Sequence, residues 1–269
     1  ALRHSALIAL DNADELEAVE VLATNARAAA QVLTRFRGMP LSGLTAADQS
    51  TAADWTKFGF SLDEAGDLFA RLAGSDRLRF RGLSAHIGTQ IANPVGYERL
   101  FDHLLRLADQ AAHQGLSVDC IDIGGGFPVA FLTEEEWKRF TDRLLKRLRG
   151  DVPVSETVTW NDLPMGYAHL SPCDGDPAKW VGKAYWSAYP ASQMLEHVLT
   201  HRTTGGGATI IECLEKLGAP RLILEPGRSL MASAGIPLAQ ATGVKRVLEH
   251  AVVSLDMGIN NHGTNLISP

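Results

Sequence analysis

Hydrophobic positions along the chain switch between two rhythms. Short apolar runs at "ALIAL" (6–10), "AQVLTRFR" (30–37), "LRFRGLSAHIG" (78–88), "SVDCIDI" (117–123) and "PRLILE" (220–225) have the length of buried strands. Between them, "ADELEAVEVLA", "LDEAGDLFARLA", "YERLFDHLLRLADQAAHQ" and "EEEWKRFTDRLLKRLR" repeat their apolar residues every three to four positions, as a helix with one buried face does. Start and stop signals fall where this pattern needs them. Asp11 or Asn12 caps the first helix, Ser61 with Glu64 and Thr133 with Glu136 make capping boxes, Pro94 opens the long helix, and Gly115 ends it. Strands alternating with such helices predict βαβ units around a parallel sheet.

One segment breaks the alternation. Between Gly126 and Arg221 lie 94 residues, where one crossover with its helix needs roughly 30. Its middle is rich in Trp, Tyr, Pro and Gly, and helices are expected at about 191–202 and 208–217. A structureless loop of that length is unusual in a compact domain. The segment about 130–218 therefore reads as an insertion with its own packing: a lid, a subunit contact or a small satellite core.

Composition narrows the partners. The 269 residues carry a net charge of −6, with 45% hydrophobic and 21% charged residues, ordinary values for a globular enzyme. The acidic balance argues against nucleic acid and anionic membranes. No apolar run reaches the roughly 18 residues of a membrane span, and the start lacks a secretory signal pattern, so a cytoplasmic protein is expected. Cys120, Cys173 and Cys213 are odd in number and widely spaced. They read as reduced thiols, and no metal site is expected.

Candidate chemistry gathers where the strands end. Arg35 and Arg37, His86 with Gly88 and Thr89, Gly124 to Gly126, and Glu225, Gly227 and Arg228 each follow an apolar run. In parallel α/β folds ligands sit at that end of the strands. Glycines there let backbone approach a phosphate. Gly205 to Gly207 follow no strand and read as a linker.

In order along the chain, "TKFGFSLDEA", "GLSAHIGTQI", "IDIGGGFPV" and "LILEPGRSLMASAG" resemble the consecutive motifs of fold-type III pyridoxal-phosphate (PLP) decarboxylases, the diaminopimelate and ornithine decarboxylase group. The resemblance implies an α/β fold, a partial TIM (β/α)8 barrel of the alanine racemase-like class. That barrel would occupy 1–245 and lead into a C-terminal β-domain from 246 to 269, whose entry strand "VVSLDMGIN" resembles. It implies pyridoxal 5'-phosphate as cofactor, an amino-acid substrate and a homodimer with a shared active site. By position, His86 would stack on the cofactor ring, and Thr89 with Gly124, Gly125 and Gly126 would hold the phosphate. Glu225 would pair with the pyridine nitrogen. Gly227 and Arg228 would complete the phosphate and substrate-carboxylate cup, and Arg35 would lie near the substrate. His86 and Glu225 are thus the expected catalytic residues.

Thr56 and Thr89 stand where the family's motifs often carry Ser. Nothing matches the family's Schiff-base lysine, because "ALIAL" resembles the fourth barrel strand, and the Cys-containing motif near the family's C-terminus is not found either. The chain is therefore expected to be the middle of a longer polypeptide, unable to bind PLP covalently by itself. A racemase of the same fold, a non-catalytic regulatory homologue and an unrelated phosphate-binding barrel remain as alternatives.

Overall fold

The computed structural model describes residues 2–38, 49–50, 56–153, 156, 185–204, 207–232, 234–235, 238–247 and 250–258. Much of the Trp-, Tyr- and Pro-rich stretch, with Cys173, lies outside these residues, as do 39–48.

Five parallel strands form the sheet: β1 (Leu7–Leu10), β2 (Ala30–Arg35), β4 (Leu78–Ser84), β6 (Cys120–Asp122) and β7 (Arg221–Ile223), adjacent in chain order. Two short strands, β3 (Gln49–Ser50) and β5 (Gly88–Thr89), pair antiparallel outside it. Strands that follow one another without reversal wind in one sense, as around a barrel, and the five make an open arc of one. β2 is buried along nearly its whole length, as expected of a strand covered on both faces.

Helices α1 (Ala13–Asn25), α2 (Ala65–Ala73) and α3 (Val95–His113) are the crossovers. Asn12 caps α1 by accepting from the Glu15 N–H at 2.9 Å. The Ser61–Glu64 box opens a 3-10 turn, Leu62–Glu64, that runs into α2. In α3, Tyr97, Leu100, Phe101, Leu104, Leu107, Ala108 and Ala111 are buried, a single helical stripe facing the sheet. α4 (Glu134–Arg149) has its Thr133–Glu136 capping box and its own small cluster, Phe140, Leu144 and Leu148 with Trp137 and Val152. By contrast, α5 (Ser192–Thr200) and α6 (Ile210–Lys216) bury Met194, Val198, Ile210 and Leu214 in the main core, together with the barrel helices. The segment read as one insertion is thus divided, α4 standing apart and α6 serving as the helix that leads into β7.

Two lengths differ from expectation. The run 78–88 is strand only to Ser84, because the chain then leaves the sheet and turns through His86 to pair Gly88 and Thr89 with Ser50 and Gln49. The terminal hairpin, β8 (Ala241–Val247) and β9 (His250–Leu255), starts before position 246. Among the described residues no helix is long and apolar enough to cross a membrane.

The register between β2 and β4 slips once. Val32 faces Phe80 but Leu33 faces Gly82, leaving Arg81 as a bulge. Such a bulge re-aims the strand beyond it. Arg81 is fastened to the neighbouring turn: its guanidinium meets the Asp119 carboxylate at 2.7 Å, and its carbonyl accepts from the Asp119 N–H. Gly82 then lies flat against β6, where a Cβ would collide with the Cys120 carbonyl.

Candidate active site

Because the five strands run in parallel, the residues that follow them share one end of the sheet. Asp11 follows β1, Arg35 closes β2, His86 and Thr89 follow β4, Asp122 and Gly124–Gly126 close and follow β6, and Glu225, Gly227 and Arg228 follow β7.

The glycine turn is held by backbone and side chains from its neighbours. Gly124 N–H donates to Asp122 Oδ1 at 2.8 Å, and Gly125 N–H donates to His86 Nδ1 at 3.1 Å. The Glu225 N–H donates to the Gly124 carbonyl at 2.8 Å, and the Ile91 N–H donates to that of Gly126 at 2.9 Å. A Cβ on Gly124 would strike the His86 ring. On Gly125 it would strike the Glu225 carbonyl, and on Gly126 that of Gly88. Gly124 and Gly126 also have φ of +67° and +85°, which glycine adopts without penalty. Two of the three N–H groups expected to meet a phosphate are thus already engaged. Those two glycines give close approach; the Gly126 N–H has no partner among the described residues.

Electrostatics follow from this packing. Burial, then the charge of Arg35, pushes the His86 imidazole below its ordinary value, while Glu225 pulls it up. Its Nδ1 accepts from an amide and so carries no proton. Burial raises the Asp122 carboxyl, and the Gly124 N–H opposes that rise. Glu225 is exposed at the strand end. Arg35 is occupied more than its sequence position suggested. Its guanidinium lies 3.3 Å from Asp11 Oδ1 and 4.5 Å from the centroid of the Phe58 ring.

Thr89 is half-buried on β5, paired with Gln49. Arg228 opens the short helix α7 (Arg228–Met231), and its Nη1 reaches Gln90 Oε1 at 3.5 Å. Gln90 also spans to Val129 with both ends of its amide. An apolar cavity of about 330 Å³, lined by Phe127, Leu195, Leu224, Pro226 and Leu230 among others, lies beside this turn.

Three supporting residues were missed in the sequence. Tyr97 donates its hydroxyl to the Gly125 carbonyl at 2.9 Å and stacks on Phe127, with ring centroids 5.2 Å apart. It read there as one more apolar position of a helical stripe. Asp122 read as a strand residue, and a charged residue in an apolar run was the available signal. Gln90 lies within the motif "GLSAHIGTQI", yet no role was read for it there.

The family model for the pyridoxal-dependent decarboxylase, pyridoxal-binding domain, matches residues 3–155, more than half of the chain. The chain belongs to the pyridoxal-dependent decarboxylase family. Among curated relatives, diaminopimelate decarboxylase of Actinosynnema pretiosum subsp. auranticum is 25% identical over 258 residues, 95% of this chain and 44% of that protein. Biosynthetic arginine decarboxylase of Pseudomonas aeruginosa is 33% identical over 132 residues, 48% of this chain and 20% of that protein. The crystal structure of diaminopimelate decarboxylase from M. jannaschii superposes with a TM-score of 0.60 at 18% identity, covering 94% of this chain and 45% of that one. This decarboxylase-family chain thus spans less than half the length of these relatives, and its fold is a partial barrel of their class.

Pyridoxal phosphate is the cofactor of this domain family, and the donor set present fits it. An exposed carboxylate suits a protonated ring nitrogen, and a neutral imidazole, fixed at Nδ1, suits a flat ring. The Gly126 N–H and the Arg228 guanidinium suit a phosphate.

Proposed function

We propose that the chain supplies the pyridoxal-phosphate-binding barrel of an amino-acid decarboxylase whose substrate is a basic or dicarboxylic amino acid. One observation carries the reading: in a chain of this family, Glu225, His86 and the 124–126 turn converge at one end of one parallel sheet and are hydrogen-bonded through the same turn. When bound, pyridoxal phosphate supplies a conjugated ring that takes up the electron pair left as a carboxylate departs as CO2.

The chain's own residues have separable tasks. Glu225, as a carboxylate, favours a proton on the ring nitrogen, since an opposite charge nearby stabilises the charged form. His86 is oriented by the Gly125 N–H, so its ring face is presented at fixed tilt. Gly126 N–H and Arg228 bind phosphate, Thr89 adds a hydroxyl, and Gly124 and Gly125 shape the floor. Arg35 borders the substrate side, its position set by Asp11 and Phe58. The reading includes a homodimer with a shared active site, which light scattering on the purified protein tests.

The decisive experiment uses the complete polypeptide that carries the family's Schiff-base lysine, titrates it with pyridoxal phosphate by absorbance and assays CO2 release from meso-diaminopimelate, L-ornithine, L-lysine and L-arginine. Cofactor binding that weakens in Arg228→Ala, with CO2 release from one of these, is the expected result. Cofactor binding with racemisation and no CO2 would replace the reading by the racemase one. Absence of cofactor binding would overturn it.

A further inference from the structure

Away from the strand-end site, three side chains with metal-ligand chemistry converge from two helices. Glu98 lies in the first turn of α3. His197 lies in the last turn of α5, and His201 is its C-cap, four residues on. That spacing sets the two imidazoles on one side of the helix. His201 Nδ1 lies 3.1 Å and His197 Nε2 3.7 Å from Glu98 Oε1. One ligand atom from each of the three lies within 4.8 Å of the others.

The spacing decides what these groups suit. Two ligands of a tetrahedral zinc ion, each bonded at about 2.0–2.1 Å, sit about 3.3–3.4 Å apart. The two distances here lie on either side of that value. Two imidazoles and one carboxylate favour zinc or a similar transition ion, whereas magnesium and calcium prefer oxygen throughout. Orientation is partly prepared: the Tyr189 ring stacks on His197, with centroids 4.1 Å apart. The Glu98 side chain is 13% exposed, and those of His197 and His201 34% and 42%. The cluster is therefore open on one side, where water can complete the coordination.

We propose that Glu98, His197 and His201 form a zinc-class metal site that clamps the end of α5 onto the start of α3. Both partners lead back to the strand ends. Tyr97, the neighbour of Glu98, props the glycine turn through its hydroxyl. Leu195, half a turn before His197, lines the cavity beside Pro226. A bound ion fixes α5 as one wall of that cavity. The metal site does not depend on the decarboxylase reading.

The test uses the full chain, stripped with a chelator and titrated with zinc chloride by calorimetry, with thermal melting alongside and magnesium chloride as control. One zinc per chain and a higher melting temperature are expected, with no response to magnesium. Cobalt(II) in place of zinc is expected to give the visible bands of a four-coordinate ion. Glu98→Gln and His201→Ala are each expected to weaken zinc binding by more than the roughly 10–100-fold that losing an outer-shell partner costs. The first keeps side-chain shape and the second alters an exposed residue, so circular dichroism of both is expected to match the parent. Zinc bound equally well by both variants would locate it elsewhere, for example on Cys213, and overturn the site. A parent that binds no zinc would leave a histidine–glutamate ion pair only, and equally overturn it.

Discussion

Glu225 has its backbone tied to Gly124 and its side chain exposed, within electrostatic reach of both His86 and Asp122. A carboxylate so placed is separable from the fold: its removal leaves the N–H bond in place. In the complete enzyme, Glu225→Ala is therefore expected to keep most bound cofactor yet lose at least about 10²-fold in decarboxylation, the usual loss for one preorganised electrostatic contact. Cofactor content by absorbance and CO2 release under saturating substrate measure the two halves. His86 makes a different prediction. Its folded pKa lies below the free value of 6.5 because the ring is buried. The unfolded chain therefore takes up a proton first, and stability falls as pH drops through about 6.5, by at most about 1.4 kcal/mol for each pH unit. Asp122, raised by burial, has the opposite sign, losing stability as pH rises from the free carboxylate value, so its window lies at more acid pH. Urea unfolding at pH 7.5, 6.5 and 5.5 is expected to show the fall in the parent and a smaller one in His86→Gln. Sequence made His86 and Glu225 legible through ordered motifs. Tyr97 was not, since it looks like an ordinary member of its helix until the turn it holds is folded, and Asp122 gave only the signal of a charge within an apolar run.

Between elements, the site depends on how closely β4 and β6 approach. Gly82 occupies the point of contact just after the Arg81 bulge, at φ +153°. A methyl group there meets the Cys120 backbone rather than a side chain that can turn away. Gly82→Ala is expected to cost about 1–3 kcal/mol or more, as overpacking does, and to weaken cofactor binding by shifting His86 against Gly125. Denaturant midpoints and a cofactor titration check the two effects together; an unchanged midpoint would mean the sheet can open at no cost. The strand runs, the stripe of α3 and the caps at Asn12, Ser61 and Thr133 were readable in advance, since each is a local pattern, whereas the Thr209–Glu212 box of α6 was not read. The bulge was not, because register arises between strands far apart in sequence, and neither Arg81 nor Gly82 signals it alone.

For the whole molecule, the two hydrophobic clusters imply two levels of stability. The main cluster joins the sheet to α1–α3, α5 and α6, whereas α4 packs Phe140, Leu144 and Leu148 separately. Local opening free energies follow the apolar contacts an element shares with the rest. Amides of α4 are expected to exchange with deuterium well before those of β2 and β4, and Leu144→Ala to speed exchange in α4 alone. Equal acceleration in β4 would show one cooperative unit. A surplus of length is visible in 130–218 and predicts one insertion, while the allegiance of each helix depends on contacts with distant partners. α6 could be identified as a crossover helix only by what it packs against.

The glycine turn also has a genetic consequence. At Gly125 and Gly126 the steric limit is neighbouring backbone, whereas at Gly124 it is chiefly the His86 side chain. At Gly125 and Gly126, shortening a neighbouring side chain cannot relieve the clash, so no second-site suppressor is expected for Gly125→Ala or Gly126→Ala, even in a saturated library. Gly227 differs: φ is −100° and a Cβ there meets nothing within 4 Å. A library selected only for folding is expected to accept alanine at 227 and reject it at 125 and 126. One selected for activity that also rejects it at 227 would be reading the bound ligand rather than the fold.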